Sequence, residues 1–361
     1  MRQSPVDLIP RLRWTTVAAL ALSGGVLYGV LNGYRLQGYA TALPLLLAVQ
    51  ILLNDFLELY VLSKAGYNTR WFTLLMAPGT ILHELSHLLT ALFTGCYVTQ
   101  ARLFQPNPKT GVLGYVSYSQ PEDKWAVLRD FAVGLSPFFV CGVAFLLITL
   151  IHQPDATLRF LNPNTVESGN PTALITTAIT FFNKITSSLT AADIKNPLIW
   201  AALYLEFCFA LGSAPSSEDL KLSAQSFKAH ILSTIFLLIL AWATISLTQN
   251  PQNLGKIGPP IVSGLFIFLG YALIILIVSI GFHLIAITLS LIGGWIFSIP
   301  LPMNLIPPLI AAATYVQLPK ISRDAPPAVT AITVLFLTAF LIKNPDLFLK
   351  PGKSKKKKTP N

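Results

Sequence analysis

Apolar runs with few charges, many of membrane-spanning length, recur along almost the whole of this 361-residue chain, and they restrict its fold more than any other property of the sequence. About 20 apolar residues span a roughly 30 Å hydrocarbon core as a helix. A helix also satisfies its backbone N–H and C=O groups within one segment, as lipid demands. The runs fall at residues 14–31, 41–62, 71–94, 126–151, 198–212, from a helix restart after Pro215 up to 247, 261–299 and 328–342. As one helix, 261–299 would be about 58 Å long, so it reads as two spans broken near Gly281 or Gly293-Gly294, or as one steeply tilted span. The chain is 53% hydrophobic and only 11% charged, whereas soluble domains are about 25% charged. The expected fold is all-α and multi-pass, with about 7–9 spans.

The sequence has no internal repeat of fixed period, and a single membrane domain over 1–350, with its core at 71–247, fits it best. Residues 351–361 form a basic tail expected to be disordered. The formal net charge of +10 is concentrated in Lys353, Lys355 to Lys358, Arg2, Arg11 and Arg13. These flank apolar runs, so they read as topology signals and lipid contacts, and no nucleic-acid partner is expected. The basic start and the apolar run 15–30 read as a retained anchor, since there is no clean A-x-A cleavage site and the chain continues into further apolar runs. The lipid bilayer is one partner, and the expected localisation is integral to a prokaryotic cell membrane. Cys96, Cys141 and Cys208 lack C-x-x-C spacing and read as small apolar packing residues.

One run carries chemistry. His83-Glu84-Leu85-Ser86-His87 puts two imidazoles four residues apart, on one face of a helix, with a carboxylate beside the first. That pattern binds zinc through the histidines and uses the glutamate as a general base. At this composition it arises by chance roughly once in a thousand such chains. Pro78-Gly79 predicts the start of the motif helix. After it, 97–119 is β-rich, with Pro106-Asn107-Pro108-Lys109 between two strand-like stretches, which predicts a hairpin or small sheet. Gly134-Leu135-Ser136-Pro137 predicts a kink in the next span. Residues 152–197 read as an extramembrane loop with one surface helix at 172–185.

Catalytic zinc takes three protein ligands and leaves one position for water, so a third ligand must come from elsewhere. His152, His230 and His283 each stand alone in sequence and read as packing residues. Among the carboxylates within or beside apolar runs, the candidates are Asp55, Glu58, Asp130, Glu206, Glu218 and Asp219. Asp219 is favoured because it follows a helix break at Pro215. Glu206, a lone charge in an apolar run, is next. Asp219 or Glu218 could instead only cap the helix that begins there. Asp55 and Glu58 could pair with Lys64 or Arg70, or orient a ligating histidine.

His83-Glu84-Leu85-Ser86-His87, the β-rich stretch, Ser136-Pro137 and the distal Asp219 together resemble the site-2 protease family of intramembrane zinc metallopeptidases. The likeness is strongest over 78–139. It departs from the family pattern at Asp219, which stands before Leu220 and not before a glycine. The resemblance implies zinc held by His83, His87 and Asp219, with Glu84 catalytic, and a membrane protein or peptide as substrate. It also implies that 113–118 is an edge on which an extended substrate pairs, and that this stretch faces the cytoplasm. Arg102, Lys109 and Lys124 agree with that placement, whereas counting spans from basic termini puts the stretch outside. The expected function is a zinc-dependent intramembrane endopeptidase, with Ser136 as a guess for the oxyanion donor. An inactive zinc-binding scaffold or chaperone is the first alternative and a transporter the second. The substrate's identity and the oligomeric state are not legible.

Overall fold

The computed structural model describes residues 14–34, 36–63, 76–106, 113–121, 123, 125–155, 157, 171–187, 196–297, 299, 302–321 and 327–343. The chain divides into two units, residues 1–63 with 68–286 and residues 64–67 with 287–361. The first holds α1 (Trp14–Val30), α2 (Gln37–Ser63), α3 (Ala77–Phe93), β1 (Tyr97–Arg102), β2 (Tyr115–Ser119), α4 (Ala126–His152) and α5 (Pro171–Ser187). It continues with α6 (Pro197–Gly212), α7 (Ser217–Ala229), α8 (Ile231–Gln249) and most of α9 (Gly258–Phe297). The second unit holds the end of α9, then α10 (Ile306–Ile321) and α11 (Pro327–Lys343), which pack on each other.

The helical expectation holds, and part of the expected set of spans is present. Among the described residues four helices are long and apolar enough to cross a membrane, over Gln37–Leu57, Ala126–His152, Ile231–Gln249 and Gly255–Ser290. Shorter apolar helices of 10–17 residues cover Val17–Val30, Ala173–Phe182, Pro197–Gly212, Met303–Thr314 and Thr333–Ile342. The run 261–299 is one continuous helix up to Phe297 with Gly281 inside it, not two spans. Conversely, the restart after Pro215 gives two helices, a polar α7 and an apolar α8, meeting at His230.

The motif helix α3 opens with Pro78 in its first turn, as expected; a missing N–H costs nothing there. Its end is a Schellman motif: Cys96 N–H donates to Ala91 O (2.8 Å) and Gly95 N–H to Leu92 O (3.1 Å). Gly95 takes φ +78°, which only glycine adopts without cost. Ala91 and Cys96 are both buried, clustered with Val133 of α4, and Val98 and Tyr118 cover them. The chain therefore turns straight from α3 into a two-stranded antiparallel hairpin, as the β-rich stretch predicted. Thr99 is an extra residue between the paired Val98 and Gln100, a bulge that its hydroxyl anchors on Ser117 O at 3.0 Å. The 172–185 stretch is helical, with Leu174, Ala178 and Phe181 of α5 buried on one face.

Three close backbone approaches set the bundle around α3. A Cβ at Gly79 would collide with Cys208 O of α6. One at Gly212 would lie 2.7 Å from Gly79 O, and one at Gly134 of α4 would lie 3.0 Å from Asp219 O of α7. Small residues permit such contact between helices in lipid. Overfilling a packed contact of this kind costs about 1–3 kcal/mol. Gly79→Ala is accordingly expected to lower the thermal unfolding midpoint in detergent. Gly25→Ala on α1, where nothing lies within 4 Å of the added carbon, should leave the midpoint unchanged or raise it.

Candidate metal centre

His83 and His87 lie one turn apart on the inner face of α3, edge to face, with ring centroids 4.9 Å apart. Each ring is fixed by its Nδ1. His83 Nδ1 lies 2.8 Å from Gly212 O, and His87 Nδ1 lies 2.8 Å from Val133 O. A carbonyl can only accept, so both Nδ1 atoms carry the proton and both Nε2 atoms present a lone pair when the rings are neutral. Those two Nε2 atoms are 3.2 Å apart. Two lone pairs at that distance repel unless a cation sits between them.

The two acceptors are carbonyls that their own helices cannot use. Gly212 is the last residue of α6, and the last four carbonyls of a helix have no intrahelical partner. Each of the four is occupied. Ser213 N–H donates to Phe209 O and Ala214 N–H to Leu211 O. Ala210 O accepts from the hydroxyls of Ser213 (2.8 Å) and Ser279 of α9 (2.6 Å). Gly212 O is left for His83. Val133 lies inside α4, four residues before Pro137, which has no N–H to return. Its carbonyl accepts from His87 and from Ser136 Oγ at 2.7 Å.

Asp219 completes the group. Its Oδ1 lies 3.3 Å from His87 Nε2 and its Oδ2 lies 3.7 Å from His83 Nε2. Tetrahedral ligands bonded at 2.0–2.1 Å stand about 3.3 Å apart, close to the Nε2–Nε2 separation of 3.2 Å and the His87 Nε2–Asp219 Oδ1 separation of 3.3 Å, while His83 faces the other carboxylate oxygen. Among the described residues this is the one group of three or more His, Cys, Asp or Glu placed to hold a metal, all within 4.8 Å. Asp219 also caps α7: Ser216 N–H donates to its Oδ2 (2.7 Å), and its own N–H donates to Ser216 Oγ (3.2 Å). One carboxylate thus caps α7 and faces both imidazoles. The C-terminus of α6 beside His83 adds negative potential that favours a cation.

The other carboxylates have different places. Glu206 of α6 is fully buried, with Oε1 3.0 Å from His152 Nδ1, and does not join the group. His152 is therefore not a lone histidine. Asp130 accepts from Tyr118 Oη (2.9 Å) and Gln120 Nε2 (2.8 Å), tying the hairpin to α4. Burial first, and Asp130 beside it, push the Tyr118 hydroxyl well above its ordinary range, so it remains a donor. Arg129 holds the other side, on Thr94 O and bidentate on Asp123. Asp55 is buried on α2 outside the group. The side chains of Glu58 and Glu218 lie outside the described ones, as do Lys64 and Arg70.

Glu84 is buried beside His83, and the hairpin closes over it: a Cβ on Gly114 would lie 2.7 Å from Glu84 Cγ. Ser136 does not suit the oxyanion role. Its hydroxyl donates to Val133 O and lies 3.5 Å from His87 Nδ1, behind the ring. The sequence reading missed Val133, Gly212 and Gly114. A proline four residues after Val133 was the available signal for the first.

Searches against protein-family models, curated proteins and solved structures each find no match to the chain. Zinc held by His83, His87 and Asp219 is a reading that elemental analysis tests. Purified protein should carry about one zinc per chain, and His83→Ala, His87→Ala and Asp219→Ala should each bring it to background by elemental analysis. Glu206→Gln should retain it.

Proposed function

We propose that the chain is a zinc-dependent endopeptidase that hydrolyses peptide bonds of substrates within or at the membrane. The reading rests above all on three ligand atoms within 4.8 Å of one another, beside a buried glutamate. The four helices of spanning character support an integral, multi-pass setting, here taken to be a prokaryotic cell membrane. The likeness of the motif, the hairpin and the distal aspartate to the site-2 protease family points the same way.

His83, His87 and Asp219 would hold the metal, and zinc in such a site supplies a Lewis acid together with a water acidic enough to ionise near pH 7. Glu84 stands next to the first ligand and away from bulk water. There it takes a proton from the attacking water and returns it to the leaving amine. Its burial keeps competing solvent away and strengthens each electrostatic contact in the site. Gly212 O and Val133 O hold the two imidazoles in the tautomer that leaves Nε2 for the metal.

The hairpin supplies the other requirement. A scissile peptide in a helix hides its carbonyl, so the substrate must become extended. β1 and β2 make a two-stranded sheet whose residues just before β2 lie against Glu84. Strand addition there brings an extended backbone to the base.

Glu84→Gln keeps the volume and removes the base. Zinc content should stay at the wild-type level while cleavage of a co-expressed membrane substrate falls by about 10²–10⁴-fold. Undiminished cleavage would exclude the mechanism, and a partner-stabilising function unaffected by the change would favour the scaffold reading.

A further inference from the structure

The function of Pro137 follows from what its missing N–H does to Val133. In an α-helix the carbonyl at position i accepts from the N–H at i+4. In α4 that donor would be residue 137, and proline has none. A proline inside a helix costs stability, and its ring crowds the carbonyl four residues back. Here the freed carbonyl points to a use. Val133 O accepts from His87 Nδ1 at 2.8 Å and from Ser136 Oγ at 2.7 Å. A carbonyl oxygen has two lone pairs, and both are taken. A backbone N–H at 137 would make a third donor for two positions.

We propose that Pro137 is a positioning residue for the metal centre: by withholding an N–H it reserves Val133 O for His87 Nδ1, fixing the tautomer and orientation in which His87 Nε2 faces Asp219 and His83. The inference rests on reading His83, His87 and Asp219 as a zinc site. His87 has particular need of this help. It is buried at 7% exposure in the bundle, and among the described residues no other carbonyl lies within hydrogen-bonding distance of its Nδ1. His83 has no such need, because its acceptor lies at a helix end, where a free carbonyl comes without a proline. The inner helix has no end at that depth, and proline creates the equivalent of one.

The two consequences have opposite signs, which separates positioning from ordinary packing. Pro137→Ala restores a helical hydrogen bond and removes an interior helix breaker, so the metal-free protein should not lose thermal stability. Zinc affinity should nevertheless fall by about 10–100-fold, the usual effect of removing the group that orients a ligating histidine. Removing the competing Ser136 hydroxyl as well returns the carbonyl to two donors, so Ser136→Ala with Pro137→Ala should recover part of that loss.

The test uses the full-length protein in detergent. The zinc dissociation constant is measured by chelator competition and the unfolding midpoint after metal removal, for wild type, Pro137→Ala, Pro137→Val and the Ser136→Ala/Pro137→Ala pair. The valine keeps the bulk at 137 while restoring the N–H, and carries the same expectation if the alanine variant misfolds. Weaker zinc binding at an unchanged or higher midpoint, with partial recovery in the double variant, supports the proposal. Wild-type affinity in both single variants overturns it and leaves the zinc reading intact. A loss of affinity that follows a fall in the midpoint in both variants also overturns it, since Pro137 would then act through packing. Absence of zinc binding by the wild-type protein would overturn the zinc reading, and this inference with it.

Discussion

The carbonyl oxygens of Val133 and Gly212 belong to helices that cannot satisfy them, and the arrangement around α3 depends on how that deficit is met. A buried carbonyl without a donor costs on the order of 1–3 kcal/mol, so the bundle must bring a donor to each. The imidazole of His83 is the donor at Gly212 O, and that of His87 shares Val133 O with the Ser136 hydroxyl. Meeting the backbone's need commits both Nδ1 protons and turns both Nε2 atoms inward, toward the carboxylate of Asp219. Helix packing and the convergence of the two Nε2 atoms on Asp219 are thus met by the same two hydrogen bonds.

This couples elements far apart in the chain. α6 approaches α3 closely enough for the bond to His83 only because Gly79 and Gly212 carry no side chain. The end of α6 is held in turn by Ser279 of α9, whose hydroxyl accepts from Gln50 of α2 at 2.7 Å. α7 meets α4 at Gly134 and presents Asp219 through its first turn. None of these contacts is large. Each fixes an angle at the site to which a hydrophobic interface, being non-directional, is indifferent.

The locally encoded parts of this were legible in the residues. Four-residue spacing put His83 and His87 on one face, Pro78 marked the start of their helix, and β-rich composition marked the hairpin. Asp219 could be singled out because it follows a break at Pro215, and its side chain both caps α7 and stands beside the two imidazoles. What was not legible depends on partners. Glu206 looked like a spare ligand until His152, 54 positions away in sequence, was found beside it. Ser136 looked like a catalytic donor until its proton was traced to Val133 O. Helix ends were legible only in part for a related reason: hydropathy registers composition, while the length of a helix is set by its caps and by the turns between helices.

The tight exit from α3 has a consequence for how this chain can vary. The Schellman turn at Gly95 follows the helix without a linker, so the direction in which the hairpin leaves is fixed by the helix's rotational phase at its last residue. One residue added or removed between His87 and Gly95 would turn that exit by about 100° about the helix axis. The strand-bearing segment would then swing off Glu84, although every side chain of the centre remained present. The eight-residue count from His87 to Gly95 is therefore part of the site's specification, as much as the identity of any residue within it.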